Sequence, residues 1–204
     1  MTDHRHSNIV TGIQNLIEFS KSEASLFRRP SLTNNQVFVI HGRNESARIG
    51  LFQFLRSLGL KPLEWAQAVA ATGKGSPYIG EVLDAAFGQA RAVVVLMTPD
   101  DVAYLRDEYA SGDADPERKP MGQARPNVLF EAGMAMGRDP EHTVLVELGD
   151  LRPFSDIGGR HVVRLDGTPE RRKALAERLR TAGCPVDTSG TDWMKDGDLT
   201  PPYR

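Results

Sequence analysis

Several short stretches of this chain carry side chains that could do chemistry. The sharpest is Glu131, set in Arg125-Pro126-Asn127-Val128-Leu129-Phe130-Glu131-Ala132-Gly133, where its neighbours are largely apolar. A carboxylate in that company is drawn partly out of water, so it needs either a structural partner or a functional reason. The structural alternative is pairing with Arg125 or Arg43, or capping of local amides. His41-Gly42-Arg43 follows an apolar run. Gly42 permits close backbone approach and Arg43 can grip phosphate oxygens bidentately; the same tripeptide also reads as a turn with a solvated arginine. Asp100 and Asp101, in Thr98-Pro99-Asp100-Asp101, suit hydroxyls or magnesium, and equally a capped turn. Trp65 could stack on a flat ring or fill core. Gly73-Lys74-Gly75-Ser76 lacks the full Gly-x-x-x-x-Gly-Lys-Ser/Thr spacing of a phosphate loop.

These residues must be positioned by an alternation of strands and helices. Val37-Phe38-Val39-Ile40 is a short β-branched run, as in a strand buried on both faces. Asn44 then caps a helix whose stripe of Leu51, Phe52, Leu55 and Leu58 stops at Gly59. A weaker strand spans 60–65, a small-residue loop 66–75, and Ser76-Pro77 opens a second helix with Ile79, Val82, Leu83, Ala86 and Phe87 on one face. Residues 92–97 form the strongest strand. A polar insertion at 102–125 reads as a lid, a binding loop or a disordered excursion. A helix from Pro126, strands at 143–148 and 161–165, and a helix from Thr168-Pro169 complete the unit.

The implied fold is α/β and flavodoxin-like: five parallel strands in the order 2-1-3-4-5, helices on both faces. Ligands in such sheets bind beyond the carboxyl ends of the strands, where strands one and three part. That switch point gathers 41–43, 98–101 and the first turns of the Pro126 helix, with loop 66–76 at its rim. Outside the domain at 36–187, residues 1–35 read as an amphipathic helix (Ile9, Ile13, Leu16, Ile17) with a linker. The stretch 188–204 reads as a loose polar tail carrying Trp193.

Composition narrows the classes. The chain has 204 residues and a net charge of −2, from 25 basic and 27 acidic side chains, so no bulk attraction to nucleic acid or anionic membrane is expected. One cysteine, Cys184, excludes an intrachain disulfide and a thiolate zinc site, and fits a cytoplasmic protein. The five histidines are scattered, so no bound metal is expected. No apolar run approaches the roughly 18–20 residues of a membrane span. Neither a Gly-x-Ser-x-Gly elbow nor a Gly-x-Gly-x-x-Gly after the first strand is present.

The three blocks at 37–43, 94–101 and 125–133 occur in order and are followed by Ala182-Gly183-Cys184-Pro185-Val186-Asp187. Together, over about residues 36–187, they resemble the bacterial TIR-like family that supplies the TIR effector domains of the CBASS and Pycsar antiphage systems. That resemblance implies a TIR-type NAD⁺ glycohydrolase, with NAD⁺ as substrate and no cofactor. Glu131 would be the catalytic glutamate. Phe38, His41, Gly42, Arg43, Trp65, Asp100, Asp101 and Asn127 would surround the substrate. It also implies self-assembly, neighbouring domains completing each other's sites through loop 66–76. The chain departs from the family in having Pro126 where Gln is common, and in the Ala132-Gly133-Met134-Ala135-Met136-Gly137 stretch. The 35 residues before the first strand are too few for a cyclic-nucleotide sensor, so activation by a cyclic nucleotide is expected either to need a separate chain or not to occur here. A non-catalytic nucleotide-binding or protein-interaction adaptor, and a nucleoside or deoxyribonucleotide hydrolase using the same carboxylate, remain open readings of these residues.

Overall fold

A computed structural model describes residues 34–154, 157 and 159–201. In chain order the elements are β1 (Gln36–His41), α1 (Glu45–Ser57), β2 (Lys61–Leu63), α2 (Trp65–Ala71), α3 (Ile79–Gln89), β3 (Ala92–Met97), β4 (Asp101–Ala103), β5 (Met121–Gln123), α4 (Pro126–Arg138), β6 (Thr143–Leu148), β7 (Val163–Leu165) and α5 (Pro169–Thr181). The main sheet is five-stranded and parallel, ordered β2-β1-β3-β6-β7, which is the expected flavodoxin-like order. The amphipathic helix expected near the N-terminus lies outside the described residues.

Side-chain alternation on the strands builds two cores. Val37 and Val39 of β1, Val94 and Leu96 of β3, and Val144, Val146 and Leu148 of β6 face α1 and α5. Phe38, Ile40, Val93, Val95, Met97 and Leu145 point the other way, toward α2, α3 and α4. Every residue of β3 is buried, as a central strand covered on both faces requires. Leu51, Phe54 and Leu55 of α1 are fully buried, each worth about 1.5–3 kcal/mol of transfer free energy. The Asn44 side chain accepts from the Ala47 amide at 3.0 Å to start α1. Thr168 does the same for α5, with Pro169 in its first turn.

Three expectations are corrected. Residues 65–71 are helical, because Ala66, Ala68, Ala70 and Ala71 favour helix and Glu64 and Gln67 cap its start reciprocally. Only 72–78 remains as loop. The insertion is an ordered excursion: β4 and β5 pair antiparallel, Arg118 bridges Asp107 and Asp113, and Gly122 packs under Pro99, where a Cβ would come within 2.4 Å of the ring. The described part of the tail, residues 188–201, is not loose. Trp193 and Leu199 are buried, and the buried Arg172 of α5 donates to the carbonyls of Asp196 (2.7 Å) and Gly197. No helix among the described residues is long and apolar enough to cross a membrane.

Candidate active site

The carboxyl ends of β1 and β3 are tied by Asp100. Its carboxylate accepts from the Thr98 hydroxyl at 2.6 Å and from the backbone N–H of Arg43. A Cβ on Gly42 would lie 1.9 Å from Asp100 Oδ2. The glycine therefore makes room for Asp100, where close approach by a ligand had been expected to require it. Asp101 sits 3.8 Å from the Arg125 guanidinium, and Arg125 is the residue that precedes α4 and lies over Gly42. His41 is held by its Nδ1, 2.9 Å from the Gly42 carbonyl, and meets Phe52 edge-on at 6.3 Å. The Arg43 guanidinium is exposed and makes no hydrogen bond or ion pair among the described residues.

Phe38, expected to border the pocket, is a core residue instead. It is 3% exposed and packs edge-to-face on Phe87 of α3, with ring centroids 5.8 Å apart. Its place in mid-strand, on the face of β1 covered by α2, α3 and α4, accounts for this. Trp65 is half-exposed at the first turn of α2, beside the edge strand β2. Asn127 is exposed in the first turn of α4.

Glu131 lies a turn and a half into α4. Val128, Ala132 and Ala135 bury the inner face of that helix, and Glu131 stands at the border of the stripe, half-buried. Arg138, seven residues on and within about 20° on the helical wheel, reveals which way this flank points. Its guanidinium pairs with Asp84 and stacks over the Phe87 ring at 5.6 Å, both on α3. Glu131 thus faces the groove between α3 and α4. It has no hydrogen-bond or ionic partner among the described residues, since Arg125 turns to Asp101 and Arg43 stays free. Burial alone pushes its carboxyl above the ordinary glutamate range. The pairing of Glu131 with Arg125 or Arg43, a purely structural role open from the sequence, is not what the structure shows.

Sequence reasoning passed over one feature of the same sheet edge. Glu147, at the carboxyl end of β6, accepts from Arg164 at 2.8 Å and borders two adjoining cavities of about 290 and 640 Å³. Leu129 lines the smaller one, so these cavities lie on the flank of α4 opposite Glu131. A charge closing the otherwise apolar run Val144-Leu145-Val146 was the available signal. Among the described residues no three His, Cys, Asp or Glu side chains cluster as a metal site.

Comparison with known proteins bears on this arrangement. The family described as CAP12/Pycsar effector protein, TIR domain, matches residues 36–167, from β1 through β7. The protein described as uncharacterized protein YuaY, from Escherichia coli (strain K12), is 31% identical over 166 residues, covering 81% of this chain and 50% of that protein. This chain thus spans about half the length of that relative. With the parallel sheet in flavodoxin-like order and the family match over most of it, the chain belongs to the TIR-domain family of CAP12/Pycsar effector proteins.

Proposed function

We propose that this chain is a NAD⁺ glycohydrolase that cleaves the nicotinamide–ribose bond, with Glu131 as its catalytic carboxylate. The observation that carries the reading is a half-buried carboxylate on a groove wall, without any partner among the described residues and with its acidity weakened by burial. An arrangement that costs stability and satisfies nothing structural is expected where a ligand supplies the missing charge.

The chemistry needs few groups. The bond from C1′ of the ribose to the pyridinium nitrogen breaks, and its electron pair leaves with nicotinamide, which departs neutral. Positive charge then spreads over C1′ and the ring oxygen. Water adds at C1′ and releases a proton, giving ADP-ribose. Because the leaving group is already cationic, no general acid is required, unlike the paired carboxylates of ordinary glycoside hydrolysis. Glu131, poorly hydrated, would stabilise the cation more strongly than a solvated carboxylate could. The free Arg43 guanidinium suits the pyrophosphate, and NAD⁺ enters as substrate with no further cofactor.

Self-assembly belongs to the same proposal. Tyr78 and Ile79, at the start of α3, are 83% and 66% exposed beside the loop through which neighbouring copies would meet. A cytoplasmic setting would supply the NAD⁺. Concentrated purified protein given NAD⁺ should release nicotinamide, measured chromatographically. Glu131→Ala should lower the rate by about 10²-fold or more, the usual cost of removing one group aimed at transition-state charge. Release undiminished in that variant would overturn the assignment.

A further inference from the structure

The crossover from β6 to β7 differs from the others in the main sheet. The crossovers leaving β1, β2 and β3 each carry an α-helix, whereas 149–162 contains none among the described residues. A right-handed crossover runs here on the side of the sheet that α4 covers, so α4 lacks a neighbouring helix there. At the amino end of β6 a cavity of about 290 Å³ opens, bordered by the last turn of α4 and the end of α5. Met136, Pro140 and Leu145 give it an apolar wall, and Arg160, His161 and Arg178 line it with charged and polar nitrogens. It lies at the opposite end of the strands from Arg43 and Asp100.

The two arginines of this cavity stand apart from the rest. Among the described residues, every arginine except these two and Arg43 reaches a carboxylate or a backbone carbonyl. Arg160 and Arg178 reach neither, although they come from separate segments and border the same space. Glu141, the carboxylate in the lining, has a partner of its own, and no ion pair joins it to either guanidinium. The carboxyl ends of α4 and α5 each contribute about half a negative charge, which two guanidiniums exceed. Like charges around one cavity repel, and an anion between them removes that repulsion.

We infer that this cavity is a second ligand site, which takes a phosphate monoester with a small apolar body. Two guanidinium forks match the oxygens of a phosphate dianion, and the His161 ring adds a further nitrogen. The wall of Met136, Pro140 and Leu145 receives the body of the ester. A volume of about 290 Å³ sits at the lower bound for ligand pockets, which suits a monoester of one ring better than a dinucleotide. The site owes nothing to Glu131, so it stands or falls apart from the hydrolase reading.

Phenyl phosphate and inorganic phosphate are titrated calorimetrically into the full chain at low salt. Phenyl phosphate should bind at a single site and at least threefold more tightly than inorganic phosphate, because it alone meets the apolar wall. Arg160→Gln and Arg178→Gln should each weaken it about tenfold, the usual worth of a hydrogen bond to a charged group, and the double variant should abolish it. Both positions are exposed, so these variants should melt like the wild type. Arg180→Gln supplies a matched control: it lies two residues further along α5, pairs with Glu177 and does not line the cavity. It should bind like the wild type, and so should Arg43→Gln at the switch point. Equal weakening in Arg180→Gln would reveal unspecific attraction, and loss in Arg43→Gln would put the phosphate at the other end of the sheet; either overturns the inference. Absence of binding to the wild type, or equal affinity for the two phosphates, overturns it as well.

Discussion

Gly42→Ala tests whether the switch point is organised by Asp100. The new methyl would lie 1.9 Å from Asp100 Oδ2, a separation no relaxed structure tolerates, and Asp100 is too short to swing aside while keeping its bonds. The carboxylate would leave both the Thr98 hydroxyl and the Arg43 amide. Hydrogen bonds to a charged group contribute about 1.5–3 kcal/mol each, and partial exposure here lets water replace some of that. A net loss of about 1.5–3 kcal/mol follows, or roughly 3–12 °C in Tm for a chain of this size. Asp100→Ala should cost about the same, because it removes the same two bonds. Once Asp100 is gone the methyl at position 42 meets only Arg125 Cγ at 3.7 Å, an ordinary contact. The double variant should therefore be no less stable than Asp100→Ala alone. Urea denaturation of the four proteins gives the cycle. If the two losses add to within about 0.5 kcal/mol, the clamp is not what Gly42 serves.

Other outcomes follow from burial. Glu131 binds its proton more tightly folded than unfolded, so it lends most stability below the unfolded glutamate value and loses it as pH rises through the raised folded value. Glu131→Gln should therefore be more stable than wild type at neutral pH, with the gap closing in acid; equal stability at both pH values in urea melts would contradict this. The acid limb of kcat/KM for nicotinamide release should lie above the ordinary glutamate range, since the carboxylate is the working form; a limb at the ordinary value would count against Glu131. Arg172→Ala strips the tail of its carbonyl-binding guanidinium and should cost about 2–4 kcal/mol, with proteolysis within 188–201 appearing first. A protected tail in that variant would show that Trp193 and Leu199 hold it unaided.

The sheet was legible because its signals are local. Val37-Phe38-Val39-Ile40 and Ala92-Val93-Val94-Val95-Leu96-Met97 are continuous apolar runs of strand length, and Pro126 and Thr168-Pro169 mark helix starts by backbone chemistry. The misreadings came where distant residues decide. Alanines at 66–71 looked like a loop because glycines follow them, yet Glu64 and Gln67 supply the cap that turns them into α2. The tail looked polar and free, but Arg172 is charged in sequence and buried in structure, and its donors face carbonyls some twenty residues further along the chain. Gly50 of α1 lies against the Asp198 backbone, another contact no window of sequence displays.

The candidate site shows the same division at higher resolution. Sequence context set Glu131 ahead of Asp100 and Asp101, and the family resemblance added Phe38 as a pocket wall. What separates them is who already holds them. Asp100 is engaged by Thr98 and Arg43, Asp101 faces Arg125, and Phe38 is enclosed by Phe87 and the core. Glu131 and the Arg43 guanidinium are left without partners among the described residues. A buried polar group ordinarily finds a partner, so a half-buried carboxylate left without one marks the place where binding completes the structure. That criterion depends on α4 being turned so that Arg138 meets Phe87, which fixes Glu131 toward α3 instead of toward the cavities beside Glu147. A hundred-degree rotation of the helix would give the same sequence a different site.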